Sequence, residues 1–594
     1  MNTRIALLAL LFSGCGAGAP VALTPTAVQP TQAPVGLATE PATPDLVTLS
    51  IVGTNDLHGH LERTAVLSGF LANLRAARAV DDGAVILLDG GDMFQGTLES
   101  NMVEGASVVR AYDALHYTAA TIGNHEFDYG PVGPAATPQS AEDDPRGALL
   151  ARAAEMNFPL LSANLRVAAT GAPIEWPQVA PTALVEAAGV KLGLVGVTTE
   201  GTLGTTIHAN VADLAMAPLV ESIVTQARAL REAGAKVVIV LAHAGGRCHD
   251  FSDPDDLSSC DADDEIFEVA RALPAGLVDV IVAGHTHKGV AHRVNGVVVL
   301  ESYAYGRAFG RVDLVVDRST GRVASSHVFA PQELCQDGRT PVSECTPGEY
   351  EGAPVVVDAA LLAAMAPDME HAREARERSL GATLSAPVSK SYTLESPLGD
   401  LLVDLMRAAH AGGDVALLNA GGVRAEWPAG PLTYGTLYES FPFDNRFATV
   451  RITGAELAEL IRRNLQGDHG ILLFSGLTAR ARCVAEGEGE GRLEVVLTRD
   501  GGRRIRPDET LTLVTSDFLA TGGDGVFAEI RSARPEAIRI EDGPPIREAI
   551  AELLPRAGDR LIRRSLRRAA PRRPRVVWPE ALGERPLRCP VATR

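Results

Sequence analysis

Five apolar segments in the first half of the chain each end next to residue types that commonly bind metals. The residues at those ends are Asp56 with His58, Asp92, Asn124, His243, and His285 with His287. Ligand sites in open α/β sheets lie at the carboxyl ends of the strands, so we expect the five ends to converge on one edge. Their side chains offer the oxygen and nitrogen donors that suit a pair of divalent ions such as Zn, Mn or Fe.

A single histidine after a strand is most often a structural residue, and each of these positions taken alone has that interpretation. Five such ends in one chain are difficult to explain as unrelated structural features. The sequence therefore favours one metal centre over five separate structural roles.

The elements that must position these residues are short strands alternating with helical stretches. From Leu46 to about Val316, runs such as Val47–Val52 and Val237–Leu241 are almost continuously apolar. Strands of this kind belong to sheets covered on both faces, so we expect an α/β fold. A second α/β unit begins near Leu384, where Ser396 and Pro397 predict the capped start of a helix.

The motifs around the polar strand ends resemble those of a known family. Asn-Asp-Leu-His-Gly (55–59), Gly-Asp (91–92), Gly-Asn-His-Glu-Phe-Asp (123–128) and Gly-His-Thr-His (284–287) are similar to the motifs of calcineurin-like metallophosphoesterases. Their order, followed by a second unit, resembles the two-domain 5′-nucleotidases of bacteria and animals over about residues 48–540. The resemblance implies a four-layer α/β/β/α metallophosphoesterase domain joined by a linker helix to a second α/β nucleotide-binding domain.

The resemblance also assigns roles to the polar residues of the first half. It places Asp56, His58 and His287 on one metal, Asn124, His243 and His285 on the other, and Asp92 between them. Two such ions can lower the pKa of a shared water and clamp both oxygens during displacement at phosphorus. The resemblance implies that His125 stabilises or protonates the leaving group. It also implies that Asp128 orients the imidazole of His125. His287 stands where several relatives have Gln or Asn.

In the second half the implied roles concern the substrate. By itself the sequence favours Phe443 and Phe518 as core residues, but the resemblance implies that they sandwich a nucleobase. It also implies that Asp524 binds the sugar hydroxyls and that Asn419 and Arg424 hold the base or a phosphate. Relatives carry an additional basic residue or cluster where this chain reads Glu-Ser-Pro-Leu-Gly (395–399), which leaves open substrates other than monophosphates.

The function predicted is release of phosphate from extracytoplasmic nucleotides for catabolism and salvage. The enzymatic alternatives are a 2′,3′-cyclic-nucleotide phosphodiesterase with 3′-nucleotidase activity, a nucleotide-sugar hydrolase and, more distantly, a thiosulfate-ester hydrolase. The non-enzymatic alternative is a surface-anchored binding lipoprotein. A net charge of −20 over 594 residues disfavours nucleic acid polymers as partners, and no particular oligomeric state is predicted.

The first 15 residues have the pattern of a lipoprotein signal peptide. A basic start and a short apolar run lead to Phe-Ser-Gly-Cys (12–15), so we expect lipidation at Cys15 and export to the periplasm or cell surface, with ordinary secretion as the alternative. Residues 16–47 then read as a Pro-, Thr- and Ala-rich tether. Outside the leader no apolar run is long enough to predict a membrane span.

If Cys15 carries lipid, six of the seven cysteines are left for pairing in an oxidising compartment. The candidate pairs are Cys248 with Cys260, Cys335 with Cys345 and, as a long-range pair, Cys483 with Cys589. Zinc binding is the alternative, although no two of these cysteines form a Cys-x-x-Cys pair.

The predicted domain limits follow from these patterns. The ranges are 48–365 for the metallophosphoesterase domain, 366–383 for the linker helix, 384–555 for the substrate domain and 556–594 for a basic extension. We expect the extension to be solvated or loosely packed, with contact to an anionic membrane surface as the alternative.

Overall fold

The computed structural model describes residues 45–589, apart from 134, 139, 336–339, 341, 411, 485–490 and 542. The predicted signal peptide, its Cys15 and the tether up to residue 44 lie outside the described residues. The first strand begins at Leu46, so the tether limit predicted at residue 47 falls inside that strand. Within the described part of the chain, no helix is long and apolar enough to cross a membrane.

Two sheets form the centre of the first half. In spatial order, the seven strands of the first sheet are Val323–Glu333, Ala308–Asp317, Leu46–Thr54, Ala84–Asp89, Ala119–Thr121, Leu160–Leu161 and Val179–Ala180. The six strands of the second sheet are Gly289–Val294, Val297–Ser302, Val280–Ala283, Val237–His243, Val190–Thr198 and Thr182–Ala187. The central strands of both sheets run parallel, so their carboxyl ends share one edge.

Apolar side chains fill the space between the sheets and on both outer faces. Ile51, Leu88 and Leu241 belong to the cluster between the sheets. The first sheet packs outward on the helices Glu62–Val80 and Ala106–Leu115, and the second on Leu219–Glu232 and Glu265–Ala272. The predicted four-layer α/β/β/α arrangement is therefore confirmed.

The remaining elements of the first half are short. They are the helices Leu98–Asn101, Gly147–Glu155, Thr202–Thr205 and His208–Val211, the 3₁₀ turns His125–Phe127 and Val342–Glu344, and the strand pairs Leu165–Val167 with Leu214–Met216 and Glu349–Tyr350 with Ala353–Pro354.

The second half is built on a five-stranded sheet with helices on its faces. The strands, in spatial order, are Leu472–Ser475, Val415–Asn419, Thr510–Ser516, Phe447–Thr453 and Ile538–Ile540. The helices are Pro397–Ala409, Tyr434–Ser440 and Ile546–Leu566 in one apolar cluster, and Gly454–Gln466 in the other. The Ser396 hydroxyl accepts a hydrogen bond from the Gly399 amide at 3.2 Å, and Pro397 is the first helical residue, as predicted.

Smaller elements complete this half. They are the strand pair Ser379–Leu384 with Gly430–Thr433, the sheet Arg492–Arg499, Leu477–Val484 and Val576–Val577, the helices Asp517–Ala520 and Ala528–Ala533, and the 3₁₀ turns Ala420–Gly422, Gly523–Gly525, Pro535–Ala537 and Glu580–Leu582.

A connecting helix joins the two halves, but its limits differ from the prediction. It spans Ala359–Glu377, and the predicted residues after 378 form a strand instead. Asp358 caps its start by accepting a hydrogen bond from the Leu361 amide at 2.9 Å. The predicted start at residue 366 is too late, because the prediction relied on the charged residues. It overlooked the apolar first two turns, which pack on the first half.

The predicted loosely packed extension is wrong for the part that the structure describes. The helix Ile546–Leu566 runs through the proposed limit at 555, and its apolar residues pack on Pro397–Ala409. Residues 567–589, here called the C-terminal strap, then cross the second half. Within the strap, Arg575 is buried and its Nη2 lies 2.8 Å from Oδ2 of Asp404. The prediction relied on the number of arginines and prolines, so it missed the apolar face of the helix and the acidic partner of Arg575.

All three predicted cysteine pairs are disulfides. Their sulfurs are bonded in the pairs Cys248–Cys260, Cys335–Cys345 and Cys483–Cys589. The disulfide prediction is confirmed over zinc binding. The third pair links residues 106 positions apart and ties the C-terminal strap to the strand Leu477–Val484.

Candidate functional site

The predicted metal-binding residues lie together at the shared edge of the two sheets. In the first group, the potential ligand atoms of four side chains all lie within 4.8 Å of one another. These residues are Asp56, His58, Asp92 and His287. Oδ1 of Asp56 is 3.2 Å from Nε2 of His287 and 3.9 Å from Nε2 of His58, yet it has no hydrogen-bond partner although it is buried. A buried carboxylate oxygen without a donor, facing two imidazole nitrogens, fits a cation between them.

A second group shares one member with the first. Ligand atoms of Asp92, His243 and His285 also lie within 4.8 Å of one another. Oδ1 of Asn124 joins them, at 3.0 Å from both His243 Nε2 and His285 Nδ1. Because Asp92 belongs to both groups, its carboxylate is placed to bridge two ions.

The backbone at this site is unusual. Five of the seven residues have left-handed φ values, which are +50° at Asp56, +49° at His58, +57° at Asp92, +81° at His285 and +58° at His287. Side chains other than glycine rarely adopt this region, which costs on the order of 1–3 kcal/mol per residue. The surrounding fold must therefore hold these loops in place.

Buried carboxylates outside the two groups hold the loops by accepting backbone hydrogen bonds. Glu126 accepts from the amides of Asp92 at 2.9 Å and Gly123 at 2.7 Å. Glu301 accepts hydrogen bonds from the Gly246 amide at 2.9 Å and from the Thr286 hydroxyl at 2.6 Å. It therefore connects the loop after His243 to the loop that carries His285 and His287. Sequence reasoning missed both, and only the position of Glu126 inside a motif could have suggested its role.

The pKa of Asp56 shows how strongly its charged form is favoured. Burial raises this pKa, but the nearby charges of His287 and His243 outweigh burial and lower it to about 2. Asp56 is therefore a carboxylate throughout the neutral range, which is the form that binds a cation.

His125 lies beside the two groups and pairs with Asp128 as predicted. Its Nδ1 is 2.5 Å from Oδ2 of Asp128, and the Thr206 hydroxyl donates to the other carboxylate oxygen at 2.9 Å. Burial lowers the pKa of His125, but the carboxylates of Asp128 and Asp92 overcome this and raise it above the usual value. The ring is thus favoured in its protonated form.

The second half presents the predicted substrate residues to this centre. The ring of Phe443 stacks on His125 with centroids 5.6 Å apart, and the guanidinium of Arg424 lies 5.7 Å from the Phe443 centroid. Burial lowers the pKa of His58, and the positive charge of Arg424 adds to this effect. The same charge opposes the overall rise in the pKa of His125. An aromatic ring and a cation from the second half therefore face the metal-binding side chains.

The other substrate residues form a second set. Nδ2 of Asn419 donates to Oδ2 of Asp524 at 2.8 Å. Phe518 is partly buried and packs closely under Gly523, next to Asp524. Burial raises the pKa of Asp524, partly offset by the hydrogen bond from Asn419. Asn419, Phe518 and Asp524 thus lie together. Arg424 and Phe443 lie closer to the metal-binding residues, through the contact of Phe443 with His125.

One cation near Arg424 was missed by sequence analysis. Val388 pairs with Trp427 through backbone hydrogen bonds of 2.8 and 3.1 Å, which places Lys390 beside the segment that follows Arg424. Burial lowers the pKa of Lys390, and the positive charge of Arg424 lowers it further. No local pattern could have identified Lys390, because its position depends on pairing with a distant segment.

At 395–399, where relatives carry a basic residue, this chain has an acidic one that contacts the C-terminal strap. Glu395 accepts hydrogen bonds from the backbone amides of Arg575 and Val576, at 2.7 and 3.0 Å. The start of this helix therefore serves the C-terminal strap.

Comparisons with known proteins agree with this geometry. Residues 49–289 match the family model "Calcineurin-like phosphoesterase" and residues 377–529 match "5′-nucleotidase, C-terminal domain". Protein UshA of Yersinia enterocolitica is 26% identical over 80% of this chain and 86% of its own length. Endonuclease YhcR of Bacillus subtilis is 25% identical over 82% of this chain, which spans only 38% of that protein.

A solved structure extends the similarity to the fold. The 5′-nucleotidase precursor of Thermus thermophilus superposes with a TM-score of 0.65 at 25% identity, covering 86% of this chain and 96% of its own. Both halves and their order thus agree with one architecture. The chain belongs to the two-domain 5′-nucleotidase family, with a calcineurin-like metallophosphoesterase domain followed by a 5′-nucleotidase C-terminal domain.

Proposed function

We propose that this protein is a dinuclear metal phosphohydrolase that releases phosphate from 5′-nucleotides. The observation that carries the proposal is the stacking of Phe443 on His125 at 5.6 Å, which joins a nucleobase-binding residue type to the edge of the metal-binding group. A nucleotide bound here would have its phosphate at the metal-binding group and its base at Phe443.

The chain's own residues fit two ions. Asp56, His58 and His287 would hold one, Asn124, His243 and His285 the other, with Asp92 contacting both. Divalent ions such as Zn, Mn or Fe, when bound there, would polarise a phosphoryl oxygen and favour deprotonation of water. The orphaned Oδ1 of Asp56 supports this assignment.

His125 would act on the leaving group. Its raised pKa favours the protonated imidazole, and the hydrogen bond with Asp128 fixes the ring so that Nε2 can point towards substrate. A protonated imidazole can stabilise charge on the leaving oxygen or donate a proton to it.

In the second half, recognition of the nucleoside would fall to the aromatic and polar residues. Phe443 and Phe518 would stack on the base, and Asp524 would accept hydrogen bonds from the sugar hydroxyls. Asn419 holds Asp524 at 2.8 Å and so fixes its carboxylate, while Arg424 suits a phosphate or the base. Stacking tolerates different bases, so selectivity among nucleosides would be modest.

The test is phosphate release by the purified chain from 5′-, 3′- and 2′,3′-cyclic nucleotides, with added Mn, Zn or chelator. We expect 5′-monophosphates to turn over and chelator to stop the reaction. Turnover of cyclic nucleotides alone would favour the phosphodiesterase alternative. No turnover with any metal, and no change on replacing His125 by Ala, would favour a binding protein.

A second candidate substrate class is supported by Lys390. This lysine adds a positive charge next to Arg424, and two cations suit a second phosphate group, as in nucleoside diphosphates or sugar nucleotides. We expect Lys390→Ala to raise KM for diphosphates more than for monophosphates. An equal change in both KM values would remove this candidate.

Export and lipid anchoring at Cys15 are part of the proposal. The three disulfides support an oxidising compartment, because cytosolic thiols are kept reduced. Labelling of the wild type, but not of Cys15→Ala, with a fatty-acid analogue in bacterial cells would support the anchor. Equal labelling of both proteins would refute it.

A further inference from the structure

Two tyrosines follow the strand Val297–Ser302 with a backbone that is unusual for their type. The φ values are +63° at Tyr303 and +61° at Tyr305. Bulky side chains are disfavoured in this left-handed region, and such residues persist only where neighbouring groups enforce them. The segment lies against the metal-binding loops.

Hydrogen bonds from two metal-binding loops hold this segment. The Tyr303 amide donates to the carbonyl of Lys288 at 2.8 Å, and the Tyr305 amide donates to the carbonyl of Asp56 at 2.7 Å. Nδ2 of Asn55 also donates to the Tyr303 carbonyl at 2.7 Å. The backbone of Tyr305 is therefore fixed relative to both loops.

The Tyr305 ring lies against histidines of a single metal group. Its centroid is 5.4 Å from that of His58 and 5.3 Å from that of His287, with the ring planes inclined to each other. It also lies 5.0 Å from His60. By contrast, the Tyr303 ring lies under the guanidinium of Arg307 at 4.2 Å.

His287 differs from two other histidines of the site in how its ring is oriented. Metal-binding histidines usually donate their second ring N–H to an acceptor, as Nδ1 of His58 does to the Gln95 carbonyl at 2.6 Å. His243 does the same to the Gly90 carbonyl at 2.9 Å. Among the residues that the structure describes, none accepts a hydrogen bond from Nδ1 of His287.

We propose that Tyr305 is a positioning residue that holds the imidazole of His287 in the orientation needed to complete the metal site with Asp56 and His58. Its ring contact takes the place of the missing hydrogen bond, and the enforced backbone keeps the ring there. This role rests on the proposed dinuclear centre. It concerns the ion that Asp56, His58 and His287 would hold, because the ring of Tyr305 packs on His58 and His287.

The experiment counts bound metal and does not depend on activity. The full chain and its variants are loaded with Zn or Mn and dialysed, and the ions per chain are measured by elemental analysis and by competition with a chelator. Tyr305→Ala should retain one ion and bind the other about 10–100-fold more weakly. The retained ion shows that the variant is folded. If the alanine variant does not fold, Tyr305→Leu is measured in its place.

Two further variants separate the ring contact from other effects. Tyr305→Phe keeps the ring and should bind both ions like the wild type, and Tyr303→Ala is the matched control from the same strained segment. Two tightly bound ions in Tyr305→Ala, or equal losses in Tyr303→Ala or Tyr305→Phe, would overturn the role of Tyr305. A wild-type chain that retains no ions would instead overturn the metal centre itself.

Discussion

The metal-binding edge and the proposed substrate-binding residues of the second half, here called the cleft, are built in different ways. Asp56, Asp92 and His243 are almost fully buried, with exposed fractions of 0, 1 and 0%, and they lie at the ends of strands or shortly after them. The cleft residues Arg424 and Asp524 are half-buried and lie on loops or short turns. The first region is arranged in advance by the sheets, whereas the second depends on distant segments that close around its loops.

This difference predicts that damage to the metal edge acts on catalysis and damage to the cleft acts on binding.

The largest effect is expected at the residue shared by both metal groups. Asp92→Asn should lower kcat about 10³-fold or more, since loss of a bridging carboxylate removes several kcal/mol of transition-state stabilisation. Steady-state kinetics with metal analysis should show fewer than two ions per chain. Normal metal content with normal kcat would contradict the assignment of Asp92.

Substitution of His125 should lower kcat without changing the number of bound metal ions. His125→Ala is expected to lower kcat about 10²–10³-fold, because the group that stabilises the leaving oxygen is lost, while both ions remain bound. His371, an exposed histidine of the connecting helix, provides the control His371→Ala, which should behave like the wild type. Loss of metal from His125→Ala would show that the residue has a different role.

The two aromatic residues of the cleft should differ from each other. Phe518→Ala should raise KM for nucleotides about 10–100-fold with little change in kcat, since a stacking partner contributes about 1–3 kcal/mol. Phe443→Ala should raise KM and also lower kcat, because Phe443 contacts His125. Identical profiles for the two variants would break the proposed separation of regions.

The smallest effect is expected from pH acting on Asp524. Burial raises its pKa, so the carboxylate that accepts sugar hydroxyls is lost on acidification at a higher pH than for an ordinary aspartate. KM should therefore rise about two- to tenfold as the pH falls through this pKa, which corresponds to one hydrogen bond. Asp524→Asn should have a KM that does not vary in that pH range. A KM of the wild type that stays constant on acidification would refute the role of Asp524.

The same contrast explains what the sequence could predict. Each metal-binding candidate lies within a few residues of a strand end, so local pattern was enough to group Asp56 with His243 and His285. Lys390 and the C-terminal strap were missed or misjudged because their positions depend on contacts across long stretches of chain. Arg575 looked solvated by composition, and only the fold shows that it meets Asp404 at 2.8 Å.

The position of Tyr305 could not be predicted for a related reason. Its role depends on a left-handed backbone and on two loops that are far apart in the chain. A tyrosine after a strand gives no local signal of either feature.

The C-terminal strap also sets the order in which the two regions can mature. Nη2 of Arg585 donates to the carbonyl of His469 at 3.0 Å, although Arg585 is synthesised 116 residues later. All seven metal-binding candidates precede residue 290, and Glu301 and Tyr305, which contact their loops, follow soon after, so the residues of that edge are synthesised long before the loop around His469 gains its partner. The packing of the second half is therefore completed only after the residues of the metal-binding edge have been synthesised.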